Sequence, residues 1–292
     1  MSPAPGAAHP QRTGLAALWH DPRARAGLVV LAVAGLAALF APLVAPGDPA
    51  AQHDIVATRF APPLGHDRLG AFHLLGTDRF GRDVWVRLVH GARISLGVGF
   101  LATAISVSLG LLVGAVAGLW QGRLGAILMG VTDFALALPR VVLLLLLAAL
   151  WQPSAALVVV VLGVTGWMSV ARLVHGEARA VAARPYVESA RALGARRTRI
   201  LARHVLPNTL NPVIVTAALG FGNAIMLEAG LSFLGLGVQP PTASWGNMIA
   251  SGRDTLVNAP WVAAAPGVAL VVVVVACTLL GDALRDVLER RG

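Results

Sequence analysis

The sequence predicts an all-α membrane protein with six transmembrane helices. Three observations carry that expectation. Hydrophobic residues make up 57% of the 292 residues and charged residues only 13%, with a mean hydropathy of +0.74. A soluble domain is nearer a quarter charged, so much of this surface faces something other than water. Six apolar runs, at 27–45, 94–118, 127–150, 155–173, 210–231 and 262–281, reach or approach the ~20 residues that cross a bilayer. Aromatic residues are only 5% and glycines number 32, so the bulk is Ala, Val, Leu and Gly, which lets helices approach closely in lipid.

Taken in order, residues 1–26 form an N-terminal segment in which Arg23 and Arg25 precede the first run. That run resembles a signal peptide in its flanks, but its length exceeds the usual 7–15 apolar residues, so it reads as an uncleaved anchor. Residues 46–93 are an outer segment, rich in Pro and Gly up to Gly76 and ending in a short amphipathic helix from Asp83 to Arg93. A five-helix core follows over 94–281, with an inner loop at 174–207 and an outer segment at 232–261, and 282–292 form a tail. In the second span Gly110, Gly114 and Gly118 share one helix face, suited to packing within the chain or to a subunit interface.

The third span holds Asp133, Pro139 and Arg140. Asp133 is expected about 10 Å from the inner end of its helix, on the same face as Arg140 but two turns away, with a kink at Pro139. Asp133, Arg140 and Glu228 of the fifth span are each either pathway residues or structural hydrogen-bonding groups, since ionisable side chains inside a span are expensive. Cys277 lies alone in an apolar run and reads as a small buried hydrophobe.

Orientation follows from arginine. With the N-terminus inside, inner segments hold fifteen Arg, including Arg12, Arg290 and Arg291, against seven outside. Both termini are therefore expected on the cytoplasmic side, although the 46–93 segment is itself Arg-rich. The chain has no Lys at all, so it lacks the lysine that a P-loop sets beside its phosphates. Any ATP that drives it binds elsewhere. No H-E-x-x-H or G-x-S-x-G motif is present, and His53, His66, His73 and His90 lack metal-site spacing. No catalytic, cofactor or metal residue is expected on this chain.

The inner loop is the most informative stretch. Pro185 suits a first helical turn, Arg184 with Glu188 and Glu188 with Arg191 stand at pairing distance on a helix, and Gly194 suits a helix end. A second helix follows, with Arg196, Arg199 and Arg203 on one face and Leu201 and Val205 on another, before Pro207 restarts the chain into the fifth span. From these residues alone, the loop is either a compact helix–Gly–helix unit or an amphipathic segment lying on anionic lipid.

The order Glu188-Ser-Ala190, three residues, Gly194, nine residues, His204-Val-Leu206-Pro207 resembles the EAA loop of binding-protein-dependent ABC permeases. Ser189 replaces the second residue of the motif and His204 an Ile. Further blocks resemble the C-type permeases of dipeptide, oligopeptide and nickel importers: His73-Leu-Leu-Gly-Thr-Asp-Arg-Phe-Gly-Arg-Asp83, Gly91-Ala-Arg-Ile-Ser-Leu96, Leu231-Ser-Phe-Leu-Gly-Leu-Gly-Val-Gln-Pro-Pro-Thr242, Ser244-Trp-Gly-Asn-Met248 and Leu280-Gly-Asp-Ala-Leu-Arg-Asp286. The resemblance runs from about residue 13 to 289.

It implies a type I ABC importer permease fold in the bacterial inner membrane, with a cytoplasmic coupling helix. Tyr186, Glu188, Ala190, Arg191, Gly194, Leu206 and Pro207 would couple it to ATPases. The implied partners are a second homologous permease forming a heterodimer, two ABC ATPases that bind ATP and Mg, a solute-binding protein outside, and lipid, with no nucleic acid. Asp78, Arg79, Arg82 and Asp83 would either meet the binding protein or hold the outer fold together. The implied solute is a peptide, with nickel or another small solute as the alternative. A secondary transporter is the rival class, but no internal repeat supports it.

Overall fold

The computed structural model describes residues 15–52, 54–120 and 122–289. Arg12, His53, Arg290 and Arg291 lie outside the described residues.

Helix α1 (Leu15–His20) is followed directly by α2 (Pro22–Leu39). Asp21 starts α2 by accepting from the Arg23 N–H at 2.8 Å, and Pro22 occupies the first turn, where its missing N–H costs nothing. This cap moves the anchor helix five residues ahead of the apolar run, and a short α3 (Ala41–Val44) completes it. Gly27 lies against α13 (Trp261–Glu289): an added Cβ would stand 2.7 Å from the Ala276 carbonyl oxygen. Arg23 also reaches Asp286 at 2.6 Å, so the start of α2 and the end of α13 lie side by side.

The outer segment is held by carboxylate caps. Asp54 caps α4 (Ile55–Thr58), and a small antiparallel hairpin pairs β1 (Gly65–His66) with β2 (Phe72–His73). Asp83 accepts from the Val86 N–H at 2.9 Å and starts α5 (Val84–Leu119). The separate amphipathic helix expected at 83–93 does not exist. Nothing between Asp83 and Leu119 breaks a helix, so those residues are the first turns of one 36-residue rod, ~54 Å long.

The third span is not one helix. α6 (Arg123–Ala137) and α7 (Arg140–Ala149) meet at 86°. Leu138, ahead of a proline, is pushed to an extended conformation with ψ 133°, and this ends α6. Asp133 and Arg140 therefore stand on different helices and share no face, contrary to the expectation from their spacing. Counting this bent pair as one crossing gives six spans, and without it five.

α8 (Ala155–Ala182) begins at a Ser154 cap and continues nine residues past the predicted span, so the first part of the inner loop is helix. α9 (Pro185–Ala192) and α10 (Arg197–Ile200) follow. Then a turn wound as a π-helix over Leu201–Val205 leads without a break into α11 (Leu206–Phe233). The chain from Arg197 to Phe233 is thus a 37-residue run, not a helix that restarts at Pro207. Proline has no N–H to give the preceding turn and its ring crowds the carbonyl four residues back; the wider turn accommodates both. After α11, a capping box between Ser244 and Asn247 starts α12 (Trp245–Gly252).

The most extensive helix pair is α5 with α8. One apolar core joins Val98, Ala102, Leu144, Val158, Leu162 and Ala224 from α5, α7, α8 and α11. Leu36, Phe100, Leu112 and Val271 stand exposed on the outside of the bundle, as lipid-facing side chains do.

Candidate coupling loop and polar sites in the spans

The helix–Gly–helix unit is built as a rigid corner. Pro185 opens α9, and Gly194 closes it with φ +82°. The Gly194 N–H donates to the Arg191 carbonyl and the Ala195 N–H to the Ala190 carbonyl, both at 3.0 Å. This paired arrangement satisfies carbonyls that a helix end would otherwise leave open. Ala190 and Arg191 thus fix the corner through their backbones. Val187, Ile200 and Val205 are fully buried against Leu119, Ala178, Val181 and Ala182, which ties the corner to the ends of α5 and α8.

The polar face of α9 is free. Glu188 and Arg191 are exposed, Tyr186 is half-exposed with its ring 5.7 Å from that of His204, and Leu193 is 88% exposed beside Gly194. Glu188 forms no ion pair with Arg184 or Arg191 among the described residues, although helical spacing allowed both. Exposed pairs gain little in water, and these side chains remain solvated. Leu206 and Pro207 lie at the junction with α11, just past the π-wound turn.

Gly110, Gly114 and Gly118 all face α8 within the same chain. Added Cβ atoms would come within 3.0 Å of Val170, Val174 and Ala178 respectively. Their lack of side chains allows α5 and α8 to run in close contact for two turns.

The three ionisable residues singled out in the spans have different surroundings. Glu228 is completely buried; Ser95 Oγ donates to it at 2.9 Å and Ser232 Oγ at 2.7 Å. Those hydroxyls in turn accept from the Trp245 and Val238 N–H groups at 3.1 Å. This knot ties α5, α11 and the outer segment together. Asp133 is more than half exposed and lies 3.6 Å from Arg172 of α8. Arg140 makes no hydrogen bond or ion pair among the described residues, and lines an open pocket of about 300 Å³ between α5, α8 and α11. Ser95, which completes the Glu228 knot, and the hydroxyls around Arg140 escaped sequence reasoning. Their only signal was small hydroxyl residues inside apolar runs.

In the first outer segment the charged block holds structure. Asp78, itself buried, accepts from the Phe80 and Arg82 N–H groups and from the buried Arg82 guanidinium at 2.7 Å. Arg87 donates to the Pro49 carbonyl at 2.8 Å. His73 sits between Asp83 at 2.6 Å and Asp67 at 3.3 Å. Burial opposes its protonation, but the two carboxylates outweigh that and raise its pKa above the ordinary 6.5. Arg79 remains exposed, stacked 4.7 Å over the Phe80 ring.

Comparison with known proteins follows the same lines. Residues 110–291 match the model of the binding-protein-dependent transport system inner membrane component. Residues 12–63 match the N-terminal TM domain of oligopeptide transport permease C. The chain is 41% identical over 271 residues to the di/tripeptide transport system permease protein DppC of Pseudomonas aeruginosa strain UCBPP-PA14, covering 92% of this chain and 88% of that one. It is 34% identical over 286 residues to the dipeptide transport system permease protein DppC of Alkalihalophilus pseudofirmus, covering 97% and 90%. Among solved structures, the MetNI methionine ABC transporter in an inward-facing conformation superposes with a TM-score of 0.57 at 21% identity, over 69% of this chain and 96% of that one, a likeness of fold. The EAA-type corner, the multi-pass helical bundle and these matches over most of its length identify the chain as a member of the binding-protein-dependent transport system inner membrane component family, a non-catalytic permease subunit of an ABC importer.

Proposed function

We propose that the chain is one of two permeases in an ATP-driven importer of peptides, and that its α9 corner receives the thrust of a separate ATPase. One observation carries the coupling reading. α9 is a short helix with a free polar face, closed by Gly194, pinned by buried Val187, Ile200 and Val205, and continuous through α10 with a spanning helix. A segment held only by lipid would need none of that anchorage. In this reading Tyr186, Glu188 and Arg191 meet the ATPase. Ala190 and Gly194 hold the corner, and Leu206 and Pro207 pass its motion to α11.

The peptide solute is supported by the names of the two DppC relatives. The remaining parts of the assembly are a second, distinct permease chain, two ATPases that carry ATP and Mg, and a solute-binding protein against the outer segments. The arginine bias favours a bacterial plasma membrane topology with residues 1–26, 174–207 and 282–292 in the cytoplasm. The Arg23–Asp286 contact agrees with both ends lying on one side.

The test is reconstitution of the complete complex in liposomes with labelled dipeptide. Uptake should require ATP and the binding protein, and Glu188→Lys should abolish both uptake and its linked ATP hydrolysis while the complex still assembles. Uptake driven by an ion gradient without ATPases would instead make the chain a secondary transporter.

A further inference from the structure

We propose that Arg140 and the pocket beside it form a carboxylate subsite in the translocation path, which takes the C-terminal carboxylate of a passing peptide. The inference rests on the peptide-importer reading above. The pocket, of about 300 Å³, is lined by Arg140, Thr103, Ser106, Ser169, Thr216 and Asn223. Every lining residue on α5, α8 and α11 named here stands at least about ten residues, or ~15 Å, from either end of its helix. Those residues also fall inside the apolar runs 94–118, 155–173 and 210–231, so the site lies within the spans.

Arg140 enters it because the chain breaks between α6 and α7, which brings the first residue of α7 against α8. Gly166 leaves room there: an added Cβ would stand 3.3 Å from the Arg140 Nη2 atom. The charge of Arg140 is not neutralised by any ion pair among the described residues. Asp133 is turned to Arg172, and Glu228 is enclosed by its two serines. An unpaired guanidinium at this depth is costly unless it faces a watery path or an anion.

The surroundings favour an anion with lone pairs to fill. The Thr103 hydroxyl is buried without a partner, so it has a hydrogen to donate. Ser169 and Asn223 add exposed polar groups on the same wall. A planar guanidinium fork matches a carboxylate in two parallel hydrogen bonds. Every unmodified peptide carries one C-terminal carboxylate whatever its side chains, so this chemistry suits a path that passes many sequences. The volume lies at the lower limit of ligand pockets, enough for a chain end and not for a whole oligopeptide.

The experiment uses the complete reconstituted complex with Val107→Cys as a reporter in the pocket wall and Cys277→Ala removing the native thiol. Anionic sulfonate and cationic trimethylammonium thiosulfonate reagents are compared, each normalised to free cysteine. The anionic reagent should be favoured about fivefold or more beside Arg140, the ratio should fall to about one in Arg140→Gln, and Arg140→Lys should restore it. Arg140→Gln should also cut uptake of a dipeptide about tenfold, with ATP hydrolysis stimulated by the binding protein still within about twofold. If the wild-type complex takes up no peptide, the peptide reading falls and the subsite with it. If the wild type transports but Arg140→Gln changes neither the reagent ratio nor uptake, the subsite alone is overturned. Dissociation of the permease pair in Arg140→Gln would overturn it as well, by making Arg140 an interface residue.

Discussion

Gly194 offers a test that separates conformation from bulk. Its φ of +82° lies in the left-handed region, and nothing stands within 4 Å of an added Cβ. A substitution there meets no clash; it pays only for the backbone. That cost is about 1–2 kcal/mol for an ordinary L-residue, a factor of about 5–30 in the population holding the corner shape. Gly194→Ala and Gly194→Leu should therefore lower binding-protein-stimulated ATP hydrolysis to a similar extent. Gly194→Asn should be milder, because asparagine tolerates left-handed backbone. The assay is ATP hydrolysis by the reconstituted complex, with membrane content measured alongside. A loss that grows from Ala to Leu, with Asn no better than Ala, would refute the conformational argument. Full activity in all three would remove the corner from coupling altogether.

Other positions give sharper readings of stability. Glu228→Ala should lower detergent stability by about 2–4 kcal/mol, since two buried serine donors lose their acceptor and a cavity opens; thermal unfolding followed by tryptophan fluorescence reads it. Gly114→Ala forces a methyl into the α8 backbone at Ala171 and should cost about 1–3 kcal/mol in the same assay. His73 has a pKa raised in the folded chain, so its contribution is full below the ordinary 6.5 and is lost as pH rises through the folded value. Melting temperature should accordingly fall from pH 6 towards pH 8 more in the wild type than in His73→Gln, and equal slopes would remove His73 as the cause.

The spans could be found from sequence because about twenty apolar residues are required by bilayer thickness alone. Their ends could not, because capping decides them. Asp21 and Asp83 start their helices well before hydrophobicity rises, and Ser154 starts α8, which then outruns its apolar stretch. Pro139 was visible as a kink within one helix, but the break into two helices at 86° depends on the packing of α7 against α5 and α8. Pro207 illustrates the same limit. Proline alone permits a restart or a widened turn, and the chain takes the second. For the loop, Pro185 and Gly194 marked the corner correctly, whereas Glu188 stands free of the arginines its spacing offered. The partners of Glu228 divide in the same way: Ser232 stands four residues on, at helical spacing, whereas Ser95 is 133 residues away, beyond the reach of any helical periodicity.

The π-wound turn at Leu201–Val205 sits at the foot of a 28-residue helix whose far end carries the Glu228 knot. At 1.5 Å per residue that helix is ~42 Å long, so a tilt of only about 10° at its foot sweeps its outer tip through about 7 Å. A widened turn lacks the tight hydrogen-bond ladder of its neighbours and is a place where such a tilt concentrates. On the coupling role proposed for α9, a modest displacement of that corner would be geared up into a movement as wide as a side chain at the far end of α11, and α5 and the outer segment, tied there through Glu228, would have to move with it. The gearing ratio would then be set by where along the chain that widened turn occurs.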